Sequence, residues 1–436
     1  GGKTKDAPAK PAAIKQLQTR FLCVFWLLRC GDWLQGPYFY NVYASKVIGG
    51  VPVSLSLISK IFLTGFASTA LFGPVVGRWA DAHGRKRGTL AFTLLYSLGA
   101  LSTKSSLLGV LFLGRFLNGI GTSLLFSAPE AWLVGESQRV GGDEEGKYLG
   151  ETFGLAYAGD AIVAIIAGQL AGGAASQRGP SGPFELSVLV LAIGALLSTL
   201  LWNENVANSG GADPSSDEQS QKPTIRDAFE KVKSDNKIML VGAVQALFEA
   251  AMYIFVLQWP PAVTASISRF FSGTAATPYG TIFSCFMASC LLGSTIFGQL
   301  ARRSVRTEVS TSNMLFVATV AMGIAAFSST RSALLPLILS LFAFEACVGM
   351  YFPSIGTLRS KYIPDSHRSV IMNLFGIPLN VLVVAVYLFM KQLGVSGALG
   401  VSTSALGVAT ACMALLRRTL AKEKGDEGDI VAAVAA

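Results

Sequence analysis

Seven ionisable side chains lie within long apolar stretches of this 436-residue chain, in surroundings typical of membrane-spanning helices. A charge at the centre of such a helix costs about 2.5–3.5 kcal/mol, so charged residues there are usually functional. Arginine can bind an anion and a carboxyl group can carry a proton, so the set predicts an ion or solute pathway. The seven are Arg29, Asp32, Arg115, Glu130, Asp160, Glu249 and Glu345.

Depth and spacing separate these residues into groups. Asp32, Glu249 and Glu345 lie about 11–13 residues into their apolar stretches, near mid-membrane at roughly 1.5 Å per residue. Arg29 and Asp32 are three residues apart and can pair on one helix face, so a purely structural salt bridge stays an alternative for them. Asp160 stands alone in its stretch, and we expect it to be a satisfied structural carboxylate.

The elements that position these residues are apolar stretches of about 20 residues, the length that crosses a bilayer. Composition agrees, since 51% of residues are hydrophobic and 14% are charged, against roughly 25% charged in soluble domains. The sequence predicts an all-α membrane protein with twelve transmembrane helices in two pseudo-symmetric six-helix bundles. Spans are expected near 19–43, 54–77, 88–103, 107–133, 148–173, 184–202, 238–262, 278–300, 311–328, 332–358, 369–391 and 396–417.

The same stretches predict the domain organisation. Two bundles, 19–202 and 238–418, are expected on either side of a cytoplasmic linker, 203–237, between tails at 1–18 and 419–436. The first half of the linker is rich in Ser, Asp and Gln, which favours a solvated segment. Its second half, TIRDAFEKVKSDNK, is expected to form a short surface helix.

Positive charges orient the chain in the membrane. With both termini placed in the cytoplasm, 26 of the 35 Lys and Arg residues fall inside and 7 outside, two more lying within spans. Such an excess indicates cytoplasmic termini. The net charge of +9 follows from this topology, so no nucleic-acid partner is expected.

Several other classes of protein are disfavoured by what the sequence contains. The only histidines, His83 and His367, lie in predicted loops, and no phosphate-binding G-x-x-x-x-G-K-S/T run is present. We therefore expect no metal, no cofactor and no ATP-driven pump. The six cysteines are interpreted as small packing residues, and they are Cys23, Cys30, Cys285, Cys290, Cys347 and Cys412.

Two motifs resemble the major facilitator superfamily of transporters. The run 77–87, G-x-x-x-D-x-x-G-R-K-R, resembles the loop between helices two and three, where the two glycines permit a tight turn. The resemblance implies a gating role for Gly77, Asp81 and Arg85, with Gly77 approaching helix eleven and Asp81 pairing with Arg85. The run R-x-x-x-G-x-G at 115–121 resembles the fourth-helix signature, which implies a coupling role for Arg115 and close helix contact at its glycines.

The superfamily fold also implies positions for the seven ionisable residues relative to a central cavity. Its helices one, four, seven and ten line a central cavity, and six of the seven fall on those helices.

Glu130, after Pro129, is interpreted as a gate or a structural partner. Prolines are expected to interrupt or end the same helices at Pro37, Pro129, Pro260, Pro261 and Pro353, with Pro378 inside the eleventh.

Longer runs are similar to the molybdate-anion transporter family: GDWLQGPYFYNVY (31–43), GRFLNGIGTSLLFSAPEAWLV (114–134), LFEAAMYIFVLQWPPAV (247–263), FEACVGMYFPSIGTLRSKYIP (344–364) and RSVIMNLFGIPLN (368–380). The resemblance covers nearly the whole chain. It implies an integral membrane carrier that takes up molybdate by alternating access, with no enzymatic activity. We expect it in the plasma membrane, as a monomer surrounded by lipid.

Molybdate is a tetrahedral dianion, so its site should offer Arg and neutral hydrogen-bond donors. The candidates are Arg29, Gln35, Tyr38, Asn41, Arg115, Asn118, Gln245, Tyr253, Asn373 and Asn380. Ionised Asp32, Glu249 and Glu345 would repel the anion, so we hypothesise that protons neutralise them and enter with it.

One position departs from the pattern expected of the family. Where we expect Phe-Arg-Ile-Pro on the eleventh helix, this chain has Phe375, Gly376, Ile377 and Pro378. Either the anion is held elsewhere, or this chain has altered or lost activity. The open alternatives are a proton-coupled carrier of sugars or other organic solutes, suited to an aromatic-lined cavity, and a non-transporting receptor or scaffold with the same fold.

Overall fold

The computed structural model describes residues 10–140, 147–206, 225–273, 275–364 and 368–435. Fifteen helices and one small hairpin are present in these ranges. By backbone contacts the chain divides into two compact units, Gly1–Ser216 with Tyr279–Ser284, and Asp217–Pro278 with Cys285–Ala436. The division falls within the predicted linker, and the domain limits given above stay predictions.

The first unit holds eight helices. They are α1 (Ala12–Gln35), α2 (Phe39–Ala44), α3 (Leu55–His83), α4 (Arg85–Ser102), α5 (Leu108–Leu125), α6 (Ala128–Val140), α7 (Lys147–Arg178) and α8 (Gly182–Leu201). A 3₁₀ turn at Gly36–Tyr38 separates α1 from α2, so the predicted break at Pro37 is confirmed. Because α5 and α6 follow each other directly, they form the fourth predicted span, with its break just before Pro129.

The second unit holds six further long helices and one short one. They are α9 (Ile225–Ser234), α10 (Asn236–Phe270), α11 (Tyr279–Arg302, whose residues Tyr279–Ser284 belong to the first unit), α12 (Thr307–Arg331), α13 (Leu334–Tyr362), α14 (Arg368–Leu388) and α15 (Met390–Ala435), and α15 is kinked at Gly394. The short helix α9 confirms the surface helix expected in the linker.

Each of the twelve predicted spans thus corresponds to a helix or to a closely following pair of helices. Eight described helical stretches are apolar and long enough to cross a membrane, and one of them, Tyr148–Leu201, contains both α7 and α8. The helices α1 and α4 lie outside this set and carry charges, α4 beginning with three successive basic residues. The helix α14 contributes a shorter apolar stretch, Leu374–Leu388.

The proline predictions for the second unit were wrong at three positions. Pro260 and Pro261 lie inside α10, which continues to Phe270, and Pro353 lies inside an unbroken α13. A proline removes one backbone donor, but neighbouring groups in a membrane protein can compensate for the freed carbonyl. The helices therefore run through these residues.

A hairpin between α2 and α3 was not predicted. Val47–Ile48 (β1) pairs antiparallel with Val51–Pro52 (β2). The intervening Gly49 and Gly50 have φ values of 61° and 80°, the left-handed conformation that such two-residue turns require and that glycine adopts without strain. The strands are too short for a period-two pattern to reveal them.

Candidate functional site

In the first unit Arg29 is bound by two carboxylates. Its Nε and Nη2 atoms donate to the two oxygens of Asp160 at 2.9 and 2.8 Å, a bidentate pair across α1 and α7. Its Nη1 lies 3.5 Å from Oδ2 of Asp32. The predicted Arg29–Asp32 pair is therefore present but is the longer contact.

Asp160 is a satisfied carboxylate, as expected, because the packing of α7 against α1 brings it to Arg29. Asp160 also accepts a hydrogen bond from Trp33 Nε1 at 2.7 Å. Asp32 has a second partner as well, the Tyr96 hydroxyl on α4. The charge of Arg29 is thus offset by carboxylates that are themselves held in place.

Glu130 extends this cluster toward α6. It accepts a hydrogen bond from the hydroxyl of Tyr157, which lies one turn before Asp160 on α7. The contact gives Glu130 a structural partner between α6 and α7. Its gating role stays a prediction.

Arg115 on α5 has different surroundings. It is 9% exposed, and no described carboxylate oxygen lies within the 4.0 Å ion-pair distance of its guanidinium. Its carbon Cζ lies 4.2 Å from the ring centre of Phe39 and 5.1 Å from that of Phe62. Aromatic faces attract a cation without neutralising it, so Arg115 keeps its charge available.

Unpartnered polar atoms surround Arg115. Its own Nε and both amide atoms of Asn118 are buried and make no hydrogen bond. Asn118 lies one turn further along α5, and the Tyr43 hydroxyl is a hydrogen-bonding neighbour of the Arg115 guanidinium. Buried polar groups are normally paired. An open guanidinium nitrogen and an open amide one turn apart on α5 are compatible with an acceptor from outside the chain.

The glycines of the α5 motif permit the predicted close packing. A Cβ atom at Gly119 would lie 1.8 Å from Ser68 Oγ on α3, and one at Gly121 would lie 3.1 Å from the Tyr96 ring on α4. Gly65 on α3 faces the Arg115 guanidinium, where a Cβ would lie 3.2 Å from Nη2. Small residues therefore let α3 and α4 pack closely against α5 around Arg115.

The remaining candidates of the first unit are placed near the end of α1. Gln35 donates to Ser187 Oγ on α8 at 2.8 Å, and its Oε1 is buried and unpartnered. Tyr38 is buried on the 3₁₀ turn and Asn41 is half-buried on α2. None of these three is shown to bind a ligand, and their roles stay predictions.

In the second unit the candidates Gln245 and Glu249 meet an arginine that the sequence assigned to a loop. Arg359 Nε donates to Gln245 Oε1 at 2.9 Å, and its Nη2 donates to Glu249 Oε1 at 3.1 Å. The Tyr351 hydroxyl donates to the same oxygen at 2.8 Å. The predicted span ended at residue 358, so Arg359 was missed. The four-residue spacing of Tyr351, Ile355 and Arg359 along one helix face could have revealed it.

The other candidates of the second unit are more dispersed. Tyr387 donates to the backbone oxygen of Tyr253 at 2.8 Å. Asn380 donates to Gly376 O at 2.7 Å within its own helix and is exposed. Glu345 is 7% exposed and makes no hydrogen bond or ion pair with a described residue. The backbone of Asn373 lies in α14, but its side chain lies outside the described residues.

The loop motif at 77–87 is only partly as predicted. Asp81 Oδ1 accepts from Arg85 Nε at 3.0 Å, which confirms that pair. Gly77, however, lies inside α3, which ends at His83, so Gly84 with φ 126° makes the turn alone. The approach of Gly77 to helix eleven and the gating roles of Gly77, Asp81 and Arg85 stay predictions.

Sequence reasoning missed Glu204, the residue that completes this turn. Its carboxylate accepts hydrogen bonds from the backbone N–H groups of Lys86 at 2.9 Å and Arg87 at 3.1 Å. A carboxylate at this position satisfies unpaired donors and matches the positive end of α4. No local pattern reveals it, because 118 residues separate Glu204 from Lys86.

The cysteines are free thiols. Cys347 is buried, in line with a packing role, whereas Cys23 and Cys285 are exposed on their helices. The packing interpretation was therefore wrong for those two, because they lie on the outer faces of α1 and α11.

Comparison with known proteins settles the family. The family described as sugar transporters with twelve transmembrane segments, within the major facilitator superfamily, matches residues 1–349. The chain belongs to this family of membrane transporters. It is accordingly an integral multi-pass membrane protein and a transporter, not an enzyme, as predicted.

Individual relatives agree with this assignment. The chain is 30% identical over 402 residues to the molybdate-anion transporter of Takifugu rubripes, covering 87% of this chain and 80% of the relative. It is 30% identical over 388 residues to the molybdate-anion transporter of Xenopus tropicalis, with the same coverage.

Among solved structures, a peptide transporter POT matches with a TM-score of 0.71 at 15% identity over 94% of both chains. The nucleoside transporter NupG matches with a TM-score of 0.69 at 14% identity, over 92% of this chain and 99% of that one. The structural matches confirm the predicted fold of twelve transmembrane helices.

Proposed function

We propose that this protein is a secondary active transporter that takes up molybdate by alternating access, with Arg115 as a ligand of the anion. Supporting the substrate are the relatives named molybdate-anion transporters. The observation that carries the site is the contrast between two buried arginines. Arg29 is neutralised by Asp160 and Asp32, whereas Arg115 has no carboxylate partner among the described residues.

An oxyanion beside Arg115 would satisfy several unpaired donors at once. The guanidinium presents donors in a plane that matches two oxygens of a tetrahedral anion. The Asn118 amide, which lacks a partner, and the Tyr43 hydroxyl beside Arg115 can donate to its other oxygens. Phe39 and Phe62 exclude water from the guanidinium, and a less hydrated cation holds an anion more tightly.

Proton coupling is a further part of the proposal. Asp32, Glu249 and Glu345 are the candidate proton carriers. Of these Glu345 is the most isolated, since it is buried without an ion pair to a described residue. We also propose that the protein is a monomer in the plasma membrane, with both termini in the cytoplasm.

The departure at Gly376 is compatible with an anion held elsewhere. A Cβ atom at this position would lie 3.8 Å from Nδ2 of Asn380, the next side chain along the same helix face. Glycine itself offers no side-chain donor there. Arg115 supplies the guanidinium that Gly376 cannot.

A carrier of sugars or other organic solutes is the second candidate, favoured by the description of the matching family. The experiment that separates the two uses the purified full-length protein in liposomes with an inward proton gradient. We expect labelled molybdate to accumulate, with competition by tungstate and none by sugars. Inhibition by sugars with no molybdate flux would favour the second candidate, and the absence of any flux would favour a receptor or scaffold.

A further inference from the structure

Lys60 is a basic residue on an apolar outer face of the first unit. It lies about one and a half turns into α3, which begins at Leu55, and it is exposed. Within the described ranges no carboxylate lies within ion-pair distance of its ammonium, whereas Lys104, which follows α4 on the same side of the membrane, pairs with Glu185 at 2.9 Å. A charge in a membrane-spanning helix is costly unless it is paired or reaches the interface. Lys60 therefore calls for a counter-charge from outside the chain.

A groove begins at Lys60 and follows the contact between α3 and α5. Its volume is about 420 Å³. Seven residues of α3, from Lys60 to Phe72, form one side, and Phe112 and Phe116 of α5 form the other. The seven recur every three or four residues, so they share one helix face. Leu71 is 71% exposed, so in this membrane protein the groove opens toward lipid.

The groove has a single charged group, and its hydroxyl groups are already used. Thr64 Oγ1 donates to Lys60 O at 3.0 Å, and Ser68 Oγ donates to Gly65 O at 2.9 Å, both within α3. The other side chains that line the groove are apolar. A ligand that matches this pattern has a long apolar part and one anionic end.

The length of the groove matches one leaflet of a bilayer. Lys60 and Phe72 are twelve residues apart, which is about 18 Å along a helix. The hydrocarbon of one leaflet is about 15 Å thick, half of the bilayer core. The rings of Phe72 and Phe116 meet edge to face, with centres 5.3 Å apart, and they join α3 to α5 at the end of the groove away from Lys60. One acyl chain that starts at the headgroup level would end near this pair.

From the lone cation, the apolar walls and the length, we infer that this groove binds one acyl chain of an anionic phospholipid whose phosphate pairs with Lys60. The stem of Lys60 lies along the apolar surface and its ammonium reaches the headgroups, as is usual for lysine near a helix end. A zwitterionic headgroup fits less well, because its own cation finds no carboxylate beside Lys60 in the described chain. The bound lipid packs against the same α3–α5 contact in which Gly65 faces Arg115.

The test is native mass spectrometry of the purified full-length protein with dioleoyl phosphatidylglycerol and, separately, dioleoyl phosphatidylcholine. The wild type should bind one phosphatidylglycerol more tightly than any phosphatidylcholine. Lys60→Gln should weaken that phosphatidylglycerol about fivefold, the contribution of one basic residue at a membrane surface, and should leave phosphatidylcholine unchanged. Lys104→Gln removes a lysine on the same side of the membrane and is the matched control, which should keep the wild-type preference.

A second pair of variants tests the groove itself. Ala67 is exposed and lines the groove, whereas Ala70 is exposed on the same helix outside it. Ala67→Trp should fill the groove and lower the affinity for the one tightly bound lipid at least tenfold. Ala70→Trp adds the same side chain and should leave that affinity unchanged. Should Ala67→Trp fail to fold, as its melting temperature reports, Ala67→Leu replaces it and should weaken binding in the same direction.

Three results would overturn the inference. The first is an equal loss of phosphatidylglycerol affinity in Lys60→Gln and Lys104→Gln, which would mean that the phosphate is not held at Lys60. The second is an equal loss in the variants at positions 67 and 70, which would mean that no acyl chain occupies the groove. The third is tighter binding of cholesterol than of phosphatidylglycerol, which would assign the groove to an uncharged sterol. None of these measurements involves molybdate, so the proposed function stands or falls separately.

Discussion

Arg29 and Arg115 are both buried arginines of the first unit, but their charges are balanced differently. Arg29 makes a bidentate pair with Asp160, while Arg115 faces two aromatic rings and unpaired polar atoms. A buried ion pair is costly to break, because the remaining partner keeps an uncompensated charge. We therefore assign a mainly structural role to Arg29 and reserve the ligand role for Arg115.

This assignment predicts a pattern of stability. Asp160→Asn should leave Arg29 with only the longer contact to Asp32, and it should destabilise the protein by up to about 3–5 kcal/mol. The double variant R29Q/D160N, in which both charges are absent, should recover much of that loss. Thermal unfolding in detergent measures the difference. Equal melting temperatures for Asp160→Asn and the wild type would contradict the structural role.

At the scale of elements, the turn between α3 and α4 depends on a distant carboxylate. Gly84 has φ 126°, and Glu204, which follows α8, caps the first backbone N–H groups of α4. The space around Gly84 is filled, since a Cβ there would lie 2.3 Å from the Glu204 carboxyl carbon. Two glycines of one motif therefore have different structural roles.

Substitution of these glycines separates the two roles. Gly84→Ala should destabilise the protein by about 1–3 kcal/mol, because the backbone angle is strained for alanine and Glu204 must move. Gly77→Ala is the matched control, because a Cβ there meets no atom within 4 Å. It should be neutral or stabilise by up to about 1 kcal/mol, since Gly77 lies inside a helix. Melting temperatures in detergent report both effects, and a larger loss for Gly77→Ala than for Gly84→Ala would contradict this account.

At the scale of the whole molecule, much of the fold follows from the sequence. The length of the apolar stretches gives each spanning helix, and polar linker residues give the position of α9. The same rule ends a helix too early when its last turn carries a charge, as at Arg359. A predicted span stops at its first charged residue, whereas the helix continues. Proline rules failed at Pro260, Pro261 and Pro353, since surrounding groups compensate for the missing donor.

The site was less predictable than the fold, for a physical reason. Residue types singled out the candidates Arg115, Asn118, Gln245 and Glu249, because polar groups in apolar helices are conspicuous. Their partners depend on how helices pack, and 131 residues separate Arg29 from Asp160. Local patterns therefore indicate which side chains are unusual, but only the packed helices reveal which charges are already balanced.

The most direct test of the central claim is molybdate uptake by liposomes that contain Arg115→Gln, compared with the double variant R29Q/D160N. If the unneutralised arginine binds the anion, Arg115→Gln should lose at least about 100-fold in uptake, corresponding to about 2.7 kcal/mol. Arg115→Lys, which keeps the charge but lacks the planar pair of donors, should fall between Arg115→Gln and the wild type. The R29Q/D160N variant should transport within about tenfold of the wild type once its folding is confirmed. Normal uptake by Arg115→Gln, with uptake abolished in R29Q/D160N, would contradict the account.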